Sequence, residues 1–203
     1  SVQNQTYTEW ELCIADASPT GEKLREDLSK VRGKKKKEAI LAIPEKETEL
    51  TSLIREYQIR DDRIRYEILK ENKSIAENSN AALKMASGDF VCLLDHDDLL
   101  EPDALYEVAE KIVQDDRVDV VYTDEDKINS KGTKHLTPNM KPDFNLDLLR
   151  SNNYICHLFV VRRILVEKIG GFRKEFDGAQ DYDFIFRCTE EAEKIAHVHK
   201  VLY

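Results

Sequence analysis

The chain has 203 residues, of which 35 % are charged and 41 % hydrophobic, and its formal net charge at pH 7 is −9. The length suits one domain, and the composition is typical of a folded globular protein rather than a disordered one. The acidic balance argues against a general nucleic-acid-binding protein, and no apolar run approaches the roughly 18–20 residues that span a bilayer. We therefore expect a soluble, cytoplasmic protein.

From residue 9 to about residue 122, apolar runs typical of buried strands alternate with segments of helical periodicity. The predicted strands are residues 9–15, 64–69, 89–94 and 118–122. The predicted helices are residues 75–87, expected to end in a left-handed cap at Gly88, and a helix opened by Pro102 and Asp103. This alternation predicts the α/β class with a mostly parallel sheet, in which 89–94, apolar on both faces, is a central strand.

Residues 22–60 interrupt this pattern with a charged, helix-prone stretch. Apolar residues at helical spacing predict a helix near its end, and Pro44 is expected near a helix start. We interpret the lysine run at 34–37 as solvated surface. The segment is predicted to be an excursion from the sheet edge that contains helix and contributes little to the core.

The second part of the chain predicts a more mixed arrangement. A strand is expected at 156–161, a helix at 163–169 closed by Gly170 and Gly171, and a further helix at 181–192. The cysteines are widely spaced and lie among apolar neighbours, which favours buried, reduced thiols over a zinc site or disulfides. They are Cys13, Cys92, Cys156 and Cys188.

The most informative segment is the run Asp95-His96-Asp97-Asp98 directly after a predicted strand. Carboxylates so close together repel one another, and a hard divalent cation between them offsets that cost. Ligands of open α/β sheets collect at the carboxyl ends of the strands, where this run lies. The alternative is a polar loop whose aspartates cap the helix near Pro102. Spacing alone leaves both interpretations open.

Two further aspartates are candidate site residues, each with a structural alternative. Asp16, after the first predicted strand, could accept hydrogen bonds from a ribose or a base N–H, or it could form an Asx turn. Asp181, at the start of the last predicted helix, could accept a proton, because a helix N-terminus favours the ionised carboxylate, or it could be a plain N-cap.

The remaining motifs carry less information. The run at 123–128 does not make a calcium loop, because Ile128 and Asn129 stand where an oxygen ligand and a glycine are needed. His157, within a predicted strand, is interpreted as a structural residue. His197 and His199 lie two residues apart on one face of a possible strand. That spacing suits a metal, but the sequence shows no third ligand.

In this order the motifs resemble those of family 2 glycosyltransferases, of the branch found in bacterial polysaccharide gene sets. They are residues 10–16, 78–83, 86–91, 94–98, 122–127, 153–157 and 180–183. The resemblance implies a GT-A fold, a Rossmann-like, mostly parallel sheet flanked by helices, with a smaller mixed acceptor-side half. It further implies one domain over 1–203, with a nucleotide-sugar-binding half at 1–126 and an acceptor and catalytic half at 127–203.

The implied activity is inverting transfer of a sugar from a nucleotide-diphosphate donor to a hydroxyl of a saccharide or lipid-linked saccharide. The implied cofactor is Mn²⁺ or Mg²⁺, and peripheral association with the inner face of the membrane is compatible with this activity. The resemblance assigns catalysis to Asp181 as the base, metal binding to Asp97 and Asp95, and donor binding to Asp16, Ser18, Asn80 and Asp95.

The chain departs from the family pattern at Ala17, at Ser74 and in the length of 22–60. It also begins after the family's usual first strand and ends before a His-Trp pair common in the family, so we expect it to be a piece of a longer protein. The alternative functions are a nucleotidyltransferase, a non-catalytic nucleotide-sugar-binding domain and an acidic interaction module.

Overall fold

The computed structural model describes residues 1–129 and 132–203. The chain divides into two compact units. The small unit is Glu11–Ala86, and the large unit combines Ser1–Trp10 with Ser87–Tyr203. This division is based on packing within the structure. The predicted halves 1–126 and 127–203 were defined by function, and they remain a prediction.

The small unit is built on a pair of parallel strands. Its elements are β1 (Leu12–Asp16), α1 (Gly21–Glu26), a 3₁₀ turn (Leu28–Lys30), α2 (Lys34–Ala42), α3 (Thr51–Arg60), β2 (Ile64–Ile68) and α4 (Ile75–Met85). Strand β1 pairs with β2 in register from Leu12 opposite Ile64 to Asp16 opposite Ile68. Both strands were predicted from their apolar patterns, and both predictions are confirmed.

The charged segment 22–60 contains the predicted helix, since α2 and α3 lie within it. The lysine run forms the first turn of α2 and is largely exposed to solvent, as expected. Pro44 was expected near a helix start. It instead lies in the loop that follows α2, because the helix ends at Ala42 and Ile43 is extended.

The expectation that this segment adds little to the core was wrong for three of its side chains. Ile40, Thr48 and Thr51 are buried. The loop also packs against the start of α1, where the Gly21 N–H donates to the Glu47 carbonyl over 2.8 Å. A Cβ at Gly21 would stand 2.5 Å from a backbone oxygen of this loop, so only glycine fits there.

The predicted left-handed cap at Gly88 was also wrong. Helix α4 ends at Met85, and Ala86 already has extended backbone at φ −68° and ψ 132°. The Ala86 N–H donates to the Leu83 carbonyl over 3.1 Å, which closes the helix without a left-handed residue.

The large unit holds a four-stranded mixed sheet in the order β3-β5-β4-β6. Its elements are a 3₁₀ turn (Val2–Asn4), β3 (Phe90–Leu93), α5 (Ala104–Val113), β4 (Val118–Asp124), α6 (Leu146–Ser151), β5 (Phe159–Arg162), α7 (Arg163–Ile169), a second 3₁₀ turn (Lys174–Phe176), α8 (Gln180–Glu191) and β6 (Lys194–Val201). Strand β5 is antiparallel to both β3 and β4, and β4 is parallel to β6.

Strand β3 was predicted to be a central parallel strand. In this sheet it stands at one end of the order and pairs with the antiparallel β5. Its apolar pattern reports burial on both faces: Val91 is 8 % exposed, while Phe90 and Cys92 pack against a core cluster on the other face. Burial of this kind does not specify the direction of the neighbouring strand.

The predicted helix over 163–169, closed by Gly170, is confirmed. Helix α7 spans 163–169 and ends at Gly170, whose φ of 79° is left-handed. The cysteines of both units are free, as predicted, but only Cys188 is fully buried and the other three are half-buried. Burial raises the pKa of Cys92 and of Cys188 to about 12. Across residues 1–129 and 132–203, none of the helices has the length and apolar character that crossing a bilayer requires.

The strand directions bring several chain segments to one edge of the sheet. Strands β3, β4 and β6 run the same way, and β5 runs against them. The carboxyl ends of β3, β4 and β6 therefore meet the amino end of β5. Residues that follow the first three strands, and residues that precede β5, lie at this edge.

Candidate functional site at the sheet edge

Three side chains from segments next to different strands meet at this edge. Asp95 follows β3, His157 precedes β5, and Tyr203 follows β6. His157 Nε2 lies 3.6 Å from Asp95 Oδ2, and the His157 ring stacks on the Tyr203 ring with centroids 4.7 Å apart. A histidine facing a carboxylate in this way can hold a cation together with it or move a proton beside it.

The Tyr203 hydroxyl fixes the turn that carries the aspartates. It accepts a hydrogen bond from the Asp95 N–H over 3.1 Å and donates one to Asp98 Oδ2 over 2.7 Å. Asp95–Asp98 is thus a bound turn rather than the cap of α5, whose N-cap is Asp103. The capping alternative for this run was wrong.

A buried lysine supports the histidine from behind. Lys141 Nζ donates to the carbonyls of Ile155 and His157 and lies 3.0 Å from Glu125 Oε2. Its side chain is 1 % exposed, and burial lowers its pKa although the Glu125 carboxylate opposes that shift. Glu125 also accepts the His157 N–H, so both residues hold the chain in position before β5.

Asp181 lies in the first turn of α8 but is not its cap. The N-cap is Ala179, so the plain N-cap alternative was wrong. Gln180 Nε2 donates to Asp181 Oδ2 over 2.9 Å, and Gln180 Oε1 in turn accepts the Gly178 N–H over 2.8 Å. These bonds leave Asp181 Oδ1 as the oxygen for a further donor.

The charge environment of Asp181 differs from the expectation. The helix N-terminus was expected to favour its ionised form. Burial and the nearby Asp95 carboxylate instead raise the pKa of Asp181, and His157 opposes them. A carboxylate with a raised pKa is a stronger base than an exposed aspartate.

Three donor atoms at this edge are close enough to share one cation. One oxygen each of Asp95 and Asp98 and one nitrogen of His157 lie within 4.8 Å of one another. Carboxylate oxygens with an imidazole suit Mn²⁺ and related divalent ions. Asp97 lies in the same turn with its side chain 77 % exposed and 3.7 Å from His96 Nδ1.

Asp16 belongs to the small unit, and its environment is highly polar. Its Oδ1 accepts the Ser18 N–H over 2.8 Å, which is the Asx turn the sequence allowed. Its Oδ2 accepts the hydroxyls of Thr48 and Tyr66 over 2.5 and 2.6 Å. Burial alone raises the pKa of Asp16, but these hydrogen bonds outweigh burial and hold it below its usual value.

Two predicted donor-binding residues of the small unit are therefore hydrogen-bonded to each other, since the backbone N–H of Ser18 donates to the Asp16 carboxylate. One lone pair of Asp16 Oδ1 is left for an outside N–H or O–H group. Asn80 lies on α4 and is half-buried.

Thr48→Val should destabilise the small unit by about 1–3 kcal/mol, because it removes a hydrogen bond to a buried carboxylate. A lowered pKa contributes stability above the unfolded pKa, and this contribution is lost as the pH falls through the folded pKa. The difference between variant and parent should therefore shrink in acid. Urea unfolding at several pH values measures it.

Thr20→Val is the matched control, because Thr20 makes no side-chain capping bond within the described part of the chain. It should change stability by less than about 0.5 kcal/mol. A Thr48→Val protein as stable as its parent at neutral pH would contradict the role given to this hydroxyl.

Sequence reasoning placed Asp98 in the acidic run but did not name it as a metal ligand, it missed Tyr203 and Lys141 as parts of this edge, and it interpreted His157 as structural. Their contacts join positions far apart in the chain, such as Asp95 and Tyr203, so no local pattern reports them. One signal was available: His157 closes the motif 153–157 immediately before an apolar strand.

Comparison with protein families identifies the chain's relatives. The model of glycosyl transferase family 2 matches residues 23–170, which is more than half of the chain. In Sinorhizobium fredii, a protein described as "Uncharacterized protein y4gI" is 39 % identical over 205 residues, covering 100 % of this chain and 20 % of that protein. The O-antigen biosynthesis protein RfbC of Myxococcus xanthus is 32 % identical over 203 residues, covering 100 % of this chain and 14 % of that protein.

A solved structure shows the same fold. The crystal structure of S. aureus TarS 1-349 in complex with UDP matches with a TM-score of 0.71 at 19 % identity, covering 100 % of this chain and 53 % of that one. The predicted α/β class and GT-A fold are confirmed, with a mixed sheet in the large unit. This chain spans a fifth or less of the two relatives named above.

Proposed function

Because the chain belongs to glycosyl transferase family 2, we propose that it is the catalytic part of an inverting, cation-dependent glycosyltransferase. It takes a sugar from a nucleotide-diphosphate donor and transfers it to a hydroxyl of a saccharide or lipid-linked saccharide. The name of the Myxococcus relative supports surface-polysaccharide synthesis. The UDP complex of TarS supports a nucleotide-linked donor. We further propose that the protein works in the cytoplasm, at or near the inner face of the membrane.

One observation carries this proposal: a carboxylate with a raised pKa stands beside a second carboxylate and a histidine at the edge of the sheet. A polar loop without chemistry would not need charges of like sign so close together. Perturbed carboxylates beside a cation-compatible donor set are typical of catalytic sites. Family membership does not favour the nucleotidyltransferase or the binding-only alternative.

Each residue of the edge has a chemical task in this reaction. Asp181 Oδ1 accepts the proton of the acceptor hydroxyl as that oxygen attacks the anomeric carbon. Gln180 orients the base through its bond to Asp181 Oδ2. Burial, the main cause of the raised pKa of Asp181, strengthens the base. No covalent intermediate on a carboxylate is needed, because a single displacement inverts the carbon.

The divalent cation would be held by Asp95 and Asp97, with Asp98 and His157 as further donors in the same turn and strand end. When bound, it neutralises the diphosphate leaving group. In the small unit, Asp16, Ser18 and Asn80 are the groups we assign to the nucleoside.

The proposal is tested by thermal unfolding with nucleoside diphosphates and their sugars, with and without Mn²⁺. A donor present at about 100 times its Kd should stabilise the folded chain by about 2.7 kcal/mol, and the effect should need the cation. Release of nucleoside diphosphate with an oligosaccharide acceptor then reports transfer. No stabilisation by any nucleotide, with or without Mn²⁺, would contradict the proposed function.

A further inference from the structure

The structure contains a second cluster of potential metal ligands, which differs in its residue types from the turn Asp95–Asp98, called the aspartate turn below. Asp143, His197 and His199 each offer one ligand atom, and these atoms lie within 4.8 Å of one another. The two histidines lie on β6 with their ring centroids 4.1 Å apart, so they project from the same face, as their spacing in the sequence indicated. The third ligand that the sequence did not show is Asp143, in the loop before α6.

Two distances in this cluster are close to the edge length of a zinc tetrahedron. Asp143 Oδ1 lies 3.1 Å from His199 Nε2 and 3.6 Å from His197 Nδ1. Two ligands at about 2.0–2.15 Å from a tetrahedral Zn²⁺ stand about 3.3–3.5 Å apart. Both distances from Asp143 are within a few tenths of an ångström of this spacing, and the ligand nitrogens of the two histidines lie within 4.8 Å of each other.

The state of His197 gives an independent indication. Its side chain is 1 % exposed, and its Nδ1 finds no hydrogen-bond partner among the residues that the structure describes. A buried polar atom without a partner is costly, and such atoms need an explanation. Here the Nδ1 faces Asp143, so an ion bound between them would satisfy it.

The other nitrogen of His197 is already fixed. Its Nε2 lies 2.9 Å from the buried Asp124 Oδ1, which also accepts the Lys141 N–H over 2.8 Å. A carboxylate that accepts Nε2–H leaves the Nδ1 lone pair free, which is the arrangement found behind metal-binding histidines.

The loop that carries Asp143 is also held in place. The Tyr122 hydroxyl donates to the Pro142 carbonyl over 2.6 Å, and the Tyr122 ring stacks on His197 with centroids 4.5 Å apart. On the other side, the Asn145 N–H donates to the Tyr154 hydroxyl over 2.9 Å. The position of Asp143 therefore depends on buried groups and not on its own exposed side chain.

We propose that Asp143, His197 and His199 form a binding site for Zn²⁺ or a similar divalent transition-metal ion, with Asp124 as the carboxylate behind His197. Two imidazoles and one carboxylate are ligands that Zn²⁺ accepts, and they differ from the oxygen-rich set of the aspartate turn. Asp143 and His199 are 81 % and 62 % exposed, so a fourth position faces solvent. The bound ion joins the loop before α6 to β6.

The test is a Zn²⁺ titration of the full chain carrying Asp95→Ala and Asp97→Ala, which remove two proposed cation ligands of the aspartate turn. This double variant is called the silenced protein. Zn²⁺ should still bind at one site per chain and should raise the unfolding temperature. Adding His199→Ala or Asp143→Ala to this background should weaken binding at least about tenfold, which corresponds to about 1.4 kcal/mol. Both added changes are at exposed side chains, so the fold should persist.

His135→Ala is the matched control, because His135 is an exposed histidine that pairs with a different aspartate, Asp126. Zn²⁺ affinity should not change in that variant. Substituting Co²⁺ gives a second measurement, since the visible absorption of a tetrahedral Co²⁺ site should appear in the silenced background and be lost with His199→Ala. The site is refuted if the silenced protein does not bind Zn²⁺, or if His199→Ala and Asp143→Ala bind it as the silenced parent does.

Discussion

Asp181→Asn should lower the rate of sugar transfer by about 10²-fold or more while donor binding is retained. Asparagine keeps the size of the side chain and can still accept the bond from Gln180. It cannot take the proton of the acceptor hydroxyl near neutral pH. Donor affinity and transfer rate should be measured side by side, for parent and variant, in the full-length protein.

The same substitution should not destabilise the fold. The pKa of Asp181 is raised in the folded state, so its ionised form costs stability at neutral pH, and that cost falls as the pH drops through the raised pKa. Asparagine carries no charge and removes the repulsion from Asp95. The variant should therefore be at least as stable as the parent at pH 7, as measured by thermal unfolding.

Glu190→Gln is the control for this experiment, because Glu190 is an exposed carboxylate on the same helix. It should change neither transfer nor donor affinity. Unchanged turnover in Asp181→Asn would remove Asp181 from catalysis. Lost donor binding would instead assign it to the donor site.

Local patterns in the sequence were sufficient for most elements, because burial and helix periodicity are local properties. The strands β1, β2 and β4 and the helix α7 lie where their patterns placed them. Strand pairing is not local: β5 comes between β3 and β4 although it is the fifth strand in the chain. The apolar pattern of β3 could not report that its neighbour is antiparallel.

The candidate site shows the same limit. The rule that ligands collect at the carboxyl ends of strands predicted Asp95 and Asp97 at a functional edge. The partners that set the properties of these residues come from remote positions, as Tyr203 does for Asp95 and Thr48 does for Asp16. Thr48 was missed because its segment is charged and helix-prone, and such composition usually marks solvated surface.

Asp97→Ala should abolish cation-dependent binding of a nucleoside diphosphate and leave the fold intact. The Asp97 side chain is 77 % exposed, so its loss should change stability by less than about 0.5 kcal/mol. The cation-dependent part of the affinity should fall at least about tenfold. Calorimetry with a nucleoside diphosphate, in Mn²⁺ and in excess chelator, measures both parts separately.

Asp95→Ala should have the same effect if the two carboxylates share the cation, as the proposed donor set requires. The outcome distinguishes two arrangements of that cation. If Asp97→Ala binds like the parent while Asp95→Ala does not, the ion is held by Asp95, Asp98 and His157, the group that the structure brings within 4.8 Å. If both variants lose binding, Asp97 turns towards the ion when the donor enters.

Asp116→Ala is the matched control, since Asp116 is an exposed carboxylate just before the amino end of β4, at the opposite edge of the same sheet. Its affinity for nucleotide and cation should equal that of the parent, because a screened surface charge at that distance contributes little. Equal binding by the parent in Mn²⁺ and in chelator would refute a cation at this edge altogether. In that case the phosphates would have to be neutralised by basic side chains. The aspartate turn, with Asp95, Asp97 and Asp98 in four residues, would then repel the donor rather than bind it.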